Sequence, residues 1–114
     1  MKQEIEFRHL RYFLAVAETL HFSEAAAQLH MAQPPLSQQI RSLERILGYP
    51  LFQRTTRGVR LTKDGEYFRE RARNAVAKLQ DDVEMAYRVA TIELNTRSSQ
   101  SGGTKRGTRI EAET

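Results

Sequence analysis

Apolar residues recur at helical spacing through most of this chain. Phe7, Leu10, Phe13, Leu14 and Ala17 predict a first amphipathic helix, with Arg8, Arg11 and Glu18 off the apolar stripe. At Phe22-Ser23-Glu24 a second helix is predicted to start, with Ser23 as its cap and Glu24 suited to the positive end of the dipole. Ala25, Ala26 and Leu29 give it a narrow face that lets a neighbour approach closely. His30-Met31-Ala32 forms a turn, and Pro34 and Pro35 open a third helix, where their missing N–H groups cost nothing. Leu36, Ile40, Leu43 and Leu47 make its apolar stripe, and Gly48 ends it as a C-terminal cap. A short helix, a tight turn and a longer polar-faced helix describe a helix-turn-helix.

Short alternating pieces follow, Leu51 to Arg54 and Val59 to Leu61, around Thr55-Thr56-Arg57-Gly58. They predict a two-stranded hairpin, or wing, with Arg57 near its tip. Thr62 then caps a long helix with Asp64 and Glu66 in its first turn. Along it Phe68, Ala72, Ala75, Leu79, Val83, Ala86 and Ala90 keep close to a heptad seam. A helix from Lys63 to Ala90 is roughly 42 Å long at 1.5 Å per residue. A preceding globule of about 60 residues has a radius of gyration of only about 10 Å. Much of the seam is therefore expected to be exposed, and a second copy of the same helix covers it most simply. The fold class is mostly α: three helices and a two-stranded wing over residues 1–61, a linker and dimerisation helix over 62–94, and a flexible tail over 95–114. The tail is inferred from a shift to Ser, Gly, Thr and Arg after Asn95.

Composition narrows the function. The 114 residues contain no cysteine, which removes disulfides and thiolate metal sites and permits a reducing cytoplasm. No apolar run is long enough to cross a membrane, and the Lys2, Glu4, Glu6 start is not a secretory signal. The net charge is only +4, but all of it lies between residues 28 and 60. There Arg41, Arg45, Arg54, Arg57 and Arg60 face a single carboxylate, Glu44, while basic and acidic residues balance elsewhere. Localised positive charge is the footprint of a nucleic-acid binder.

The third helix sharpens that reading. At about 100° per residue, Pro34, Gln38, Arg41 and Arg45 fall opposite the apolar stripe. That face holds amides and guanidiniums without a carboxylate, whereas a merely solvated face more often mixes Glu with Lys. Gln and Arg bond bidentately to adenine and guanine edges in the major groove. Catalysis has no comparable support. His9, His21 and His30 stand on separate elements without metal-ligand spacing, and read as helix-surface, turn and helix-end residues. Asp81, Asp82 and Glu84 read as a solvated helix flank, and Gly102-Gly103 does not lie between a strand and a helix. No enzyme activity, cofactor or metal is expected.

These linked motifs resemble the N-terminal DNA-binding region of LysR-type bacterial transcriptional regulators. The resemblance rests on Phe7-Arg8-His9-Leu10-Arg11-Tyr12-Phe13, Phe22-Ser23-Glu24-Ala25-Ala26 and Gln33-Pro34-Pro35-Leu36-Ser37. It continues through Ile40-Arg41-Ser42-Leu43-Glu44, Gly48, Leu51-Phe52-Gln53-Arg54 and Leu61-Thr62-Lys63-Asp64-Gly65, spanning roughly residues 5–91. It implies a winged helix-turn-helix and a linker helix that pairs antiparallel in a homodimer, in a cytoplasmic, nucleoid-associated protein. Higher oligomers are implied for longer forms. By position, Gln33, Pro34, Pro35, Ser37 and Gln38 fall where the family's recognition helix meets bases and adjacent phosphates, and Arg41 where a basic side chain reaches the backbone. Arg54 and Arg57 fall in the wing, beside the neighbouring minor groove.

The sequence departs from the family at two positions. Ala32 stands where many members have Ser or Thr, removing a capping hydroxyl worth about 1 kcal/mol. Gln38 replaces an arginine of some relatives, which shifts preference from guanine toward adenine. Members also continue into an effector-sensing domain that is missing from this chain, so no small-molecule effector is expected to bind it. The expected function is sequence-specific double-stranded DNA binding as a homodimer at an interrupted palindrome, for transcriptional regulation. The alternative is a dimerisation or interaction module without specific DNA readout.

Overall fold

The computed structural model describes residues 4–100, with side chains as far as Thr96. Four helices and one hairpin follow in the expected order: α1 (Phe7–Thr19), α2 (Phe22–Gln28), α3 (Gln33–Leu47), β1 (Phe52–Thr55), β2 (Gly58–Leu61) and α4 (Lys63–Gln100). The strands pair antiparallel, with Phe52 opposite Leu61 and Thr55 opposite Gly58. This is the winged helix-turn-helix read from the sequence. The chain divides into two compact units, the first ending at Ala77 and the second starting at Lys78.

In the first unit the apolar stripes of α1, α2 and α3 meet in one core. Phe13, Val16, Ala25, Leu36, Ile40, Leu43 and Leu51 are fully buried there. Three aromatic contacts tie the core to the wing and to the start of α4. Phe13 lies 5.4 Å from Phe52 and 5.1 Å from Phe68 between ring centroids, and Phe22 lies 5.9 Å from Phe52. Such pairs add about 0.5–1.5 kcal/mol each beyond the area they bury.

Caps and turns fix where each element begins and ends. Glu6 and His9 form a capping box at α1, in which the Glu6 N–H donates to His9 Nδ1 at 2.8 Å. His9 is accordingly buried rather than on the helix surface. The second helix starts two residues earlier than a Ser23 cap would place it, so Ser23 lies inside it and His21 is the cap, accepting from the Glu24 N–H through Nδ1. Gly48 closes α3 in the left-handed region at φ 90°, as expected of a C-terminal glycine. Thr62 caps α4, its hydroxyl accepting from the Gly65 N–H at 2.9 Å and donating to the Pro50 carbonyl at 2.9 Å. Gly65 itself cannot carry a side chain, because a Cβ there would collide with the Leu51 carbonyl oxygen.

The sequence reading needs correction along α4. Ala72 is buried at 2% exposure and Phe68 packs against the same core. Ala72 is thus taken up by the first unit's core and Phe68 partly so, which is a use of the stripe that the expected seam did not include. A heptad pattern cannot separate these two uses, since a core-facing stripe and a coiled-coil stripe share one spacing. Further along, Ala75, Leu79, Val83, Ala86 and Ala90 are all exposed. The helix also runs to Gln100, through residues 95–100 that were expected to be flexible. The rest of the expected tail, 101–114, lies outside the described residues.

Candidate nucleic-acid interface

One side of α3 is built to face outward. The apolar stripe is buried, so the opposite side, with Pro34, Gln38, Arg41 and Arg45, is exposed. Gln33 and Pro35 are exposed at the start of the same helix. Arg45 donates to Ser42 Oγ at 3.0 Å. No side chain caps α3, consistent with Ala32 at the capping position, and the prolines occupy its first turn. Ser37 differs from its expected role: at 8% exposure it lies on the buried flank of α3, only about 100° from Leu36.

The absence of a carboxylate from this face has a structural cause. Glu44 points to the end of the helix-to-wing connection, where its Oε2 accepts from the Leu51 N–H at 2.7 Å and the Phe52 N–H at 3.2 Å. One carboxylate thus satisfies two backbone donors at the start of the wing and fixes the wing's origin relative to α3. The sequence held one signal for this arrangement, a lone acidic residue in an otherwise basic segment.

The wing presents its arginines by different means. Arg57 is exposed in the turn, where its N–H donates to Thr55 Oγ1 at 3.1 Å. Gly58 completes that turn at φ 133°, a conformation side chains oppose. Arg54 is held more firmly, with its guanidinium carbon 4.2 Å from the centroid of the Phe22 ring. Phe22 starts α2, so the contact brings the wing and the helix-turn-helix together. Ser23 and Gln33 line the same open notch as Arg54 and Phe22. The Ser23 hydroxyl donates to Gln33 Oε1 at 3.0 Å, joining the beginnings of α2 and α3. Neither the stacked Arg54 nor the Ser23–Gln33 bond was legible in the sequence, because each joins elements that only the folded chain brings together.

Among the described residues, no three His, Cys, Asp or Glu side chains gather as a metal site. Among them, no helix is long and apolar enough to cross a membrane. In the second unit, α4 carries two ion pairs of the ordinary surface kind, Lys78–Asp82 and Arg88–Glu84. Its exposed large apolar residues include Leu79, Val83, Met85, Val89 and Ile92.

A winged helix-turn-helix whose third helix turns a basic, carboxylate-free face outward has the architecture of a DNA-binding domain. The chain belongs to the lysR family of bacterial regulatory helix-turn-helix proteins, whose model matches residues 7–66. It is 51% identical over 86 residues to the HTH-type transcriptional regulator AlsR of Bacillus subtilis, covering 75% of this chain and 28% of that protein. To the regulator BenM of Acinetobacter baylyi it is 43% identical over 93 residues, covering 82% of this chain and 31% of BenM. The chain therefore spans less than a third of the length of these two relatives. Among solved structures, the DNA-binding domain of BenM in complex with catB site 1 DNA superposes at a TM-score of 0.74 with 44% identity. That match covers 75% of this chain and 97% of the other. The DNA-binding domain of CbnR in its DNA complex gives 0.72 with 40% identity, covering 75% of this chain and 99% of the other.

Proposed function

We propose that this chain binds double-stranded DNA sequence-specifically, as a homodimer, to regulate transcription. The observation that carries this reading is the division of labour on α3. Its single carboxylate is turned to the wing's backbone, while Gln33, Pro34, Gln38, Arg41 and Arg45 form an exposed amide and guanidinium surface. Gln38 is suited to a base edge and Arg41 to a phosphate. With α3 in the major groove, Arg54 and Arg57 serve the backbone and the adjacent minor groove. Two relatives whose DNA-binding domains are solved with DNA, at 40% and 44% identity, support the same assignment.

Dimerisation is assigned to the exposed part of the α4 seam: Ala75, Leu79, Val83, Ala86 and Ala90. Two copies of α3 then meet half-sites related by a two-fold axis, which makes the operator an interrupted palindrome. The test is fluorescence anisotropy of labelled duplexes across a salt series. One duplex carries a palindrome selected from random DNA and the other is a scramble of equal composition. The expected preference is about a thousandfold or more. Log affinity should fall against log salt with a slope near −7, for about eight phosphates neutralised. Equal affinities for the two duplexes would favour the interaction-module alternative.

A further inference from the structure

The notch between the helix-turn-helix and the wing orients Gln33. A free glutamine carboxamide can turn either end outward, its oxygen or its amino group. Here Oε1 accepts from the Ser23 hydroxyl at 3.0 Å. A serine hydroxyl could equally accept from the amide N–H, so the serine alone does not choose between the two orientations. Arg54 supplies the choice. It lines the same notch, is held against Phe22 at 4.2 Å, and is a cation that can only donate. An amide oxygen facing that notch is favoured and an amino group is opposed. The amino group of Gln33 is therefore turned outward.

We propose that Ser23 is a positioning residue that makes Gln33 a donor-only probe of the base it meets. Bidentate pairing with adenine needs both the oxygen and the amino group of one glutamine. The Ser23 bond holds the oxygen toward the notch, so the group that Gln33 presents to a base is its amino donor. Donors match guanine O6 and N7 or thymine O4; adenine offers them only N7 beside an N6 donor that then lacks its partner, and cytosine offers the major groove only a donor of its own. The preferred bases at that position are guanine and thymine, and cytosine is rejected. Gln38 has no such restraint among the described residues, so the two glutamines of α3 read by different rules. Both Ser23 and Gln33 are exposed, and their bond gains strength where binding to DNA excludes water.

The inference rests on the DNA-reading function proposed above, and one experiment separates the two. Binding sites are selected from random duplex DNA with the wild-type chain. Anisotropy is then measured on all single-base variants for wild type, Gln33→Ala, Ser23→Ala and Ser23→Thr, with thermal melts to confirm folding. Gln33→Ala identifies the base position by flattening discrimination there. At that position Ser23→Ala should raise adenine relative to guanine by about three- to tenfold, the worth of one net hydrogen bond. Ser23→Thr, which keeps the hydroxyl, should restore the wild-type order, and the salt slope should be the same for all four proteins. An unchanged base order in Ser23→Ala overturns the proposal. So does a uniform loss with a shallower salt slope, which makes Ser23 a phosphate contact, and so does a Gln33→Ala variant that flattens no position. Failure to select any site with the wild-type chain overturns the DNA-reading function itself.

Discussion

At the scale of single residues, side chains that hold the reading surface matter as much as those on it. Glu44 is the clearest case, because its two bonds to the Leu51 and Phe52 N–H groups join α3 to the wing. Glu44→Ala leaves both donors without that acceptor and should cost about 1.5–3 kcal/mol, read as a lower urea midpoint. Glu44→Gln keeps an acceptor oxygen and should lose less. An unchanged midpoint in the alanine variant would mean that water replaces the carboxylate without cost. In the sequence Glu44 stands out only as an exception to the basic run. Its partners lie past Gly48, where α3 ends, so no periodic pattern of that helix could reveal them. The same limit hid the roles of His9 and His21, whose rings cap helices through Nδ1. Serine, threonine and acidic residues advertise capping, whereas histidine does not.

At the scale of elements, the pattern of apolar positions predicted the order and type of all six. Strong stripes, prolines in a first turn and a closing glycine agreed with one another in α3, and that helix matches its expected start and end. The long helix was harder. Its stripe serves the first unit's core through Phe68 and Ala72 and becomes exposed from Ala75 onward. Spacing is blind to that change of partner, because burial depends on what the rest of the chain brings alongside. The two uses should respond differently to the same substitution. Ala72→Glu buries a charge without a partner and should lower the melting temperature or prevent folding. Val83→Glu, at a residue 60% exposed, should leave the first unit's melting intact and shift the chain toward monomer in sedimentation equilibrium. Loss of folding in Val83→Glu, or unchanged association, would remove the seam from the dimer interface.

At the scale of the whole molecule, the localised charge and the exposed seam work toward one outcome. In the proposed function, the arginines clustered between residues 28 and 60 supply attraction to phosphate, which is indifferent to sequence. Discrimination in that function comes from exposed side chains of α3 that meet base edges, Gln38 among them. The family's fold was legible from linked motifs in the sequence. The surface proposed to read bases is legible in the sequence only as a helix face, and spacing alone does not show that Ser37, at the edge of that face, is buried. The most direct test compares Gln38→Ala with wild type on the selected operator and on scrambled DNA, at one fixed salt concentration. The expected result is a loss of about 1–3 kcal/mol on the operator, roughly five- to 150-fold, with no change on the scramble. Equal affinity before and after the substitution on both duplexes would contradict base reading by the exposed face of α3.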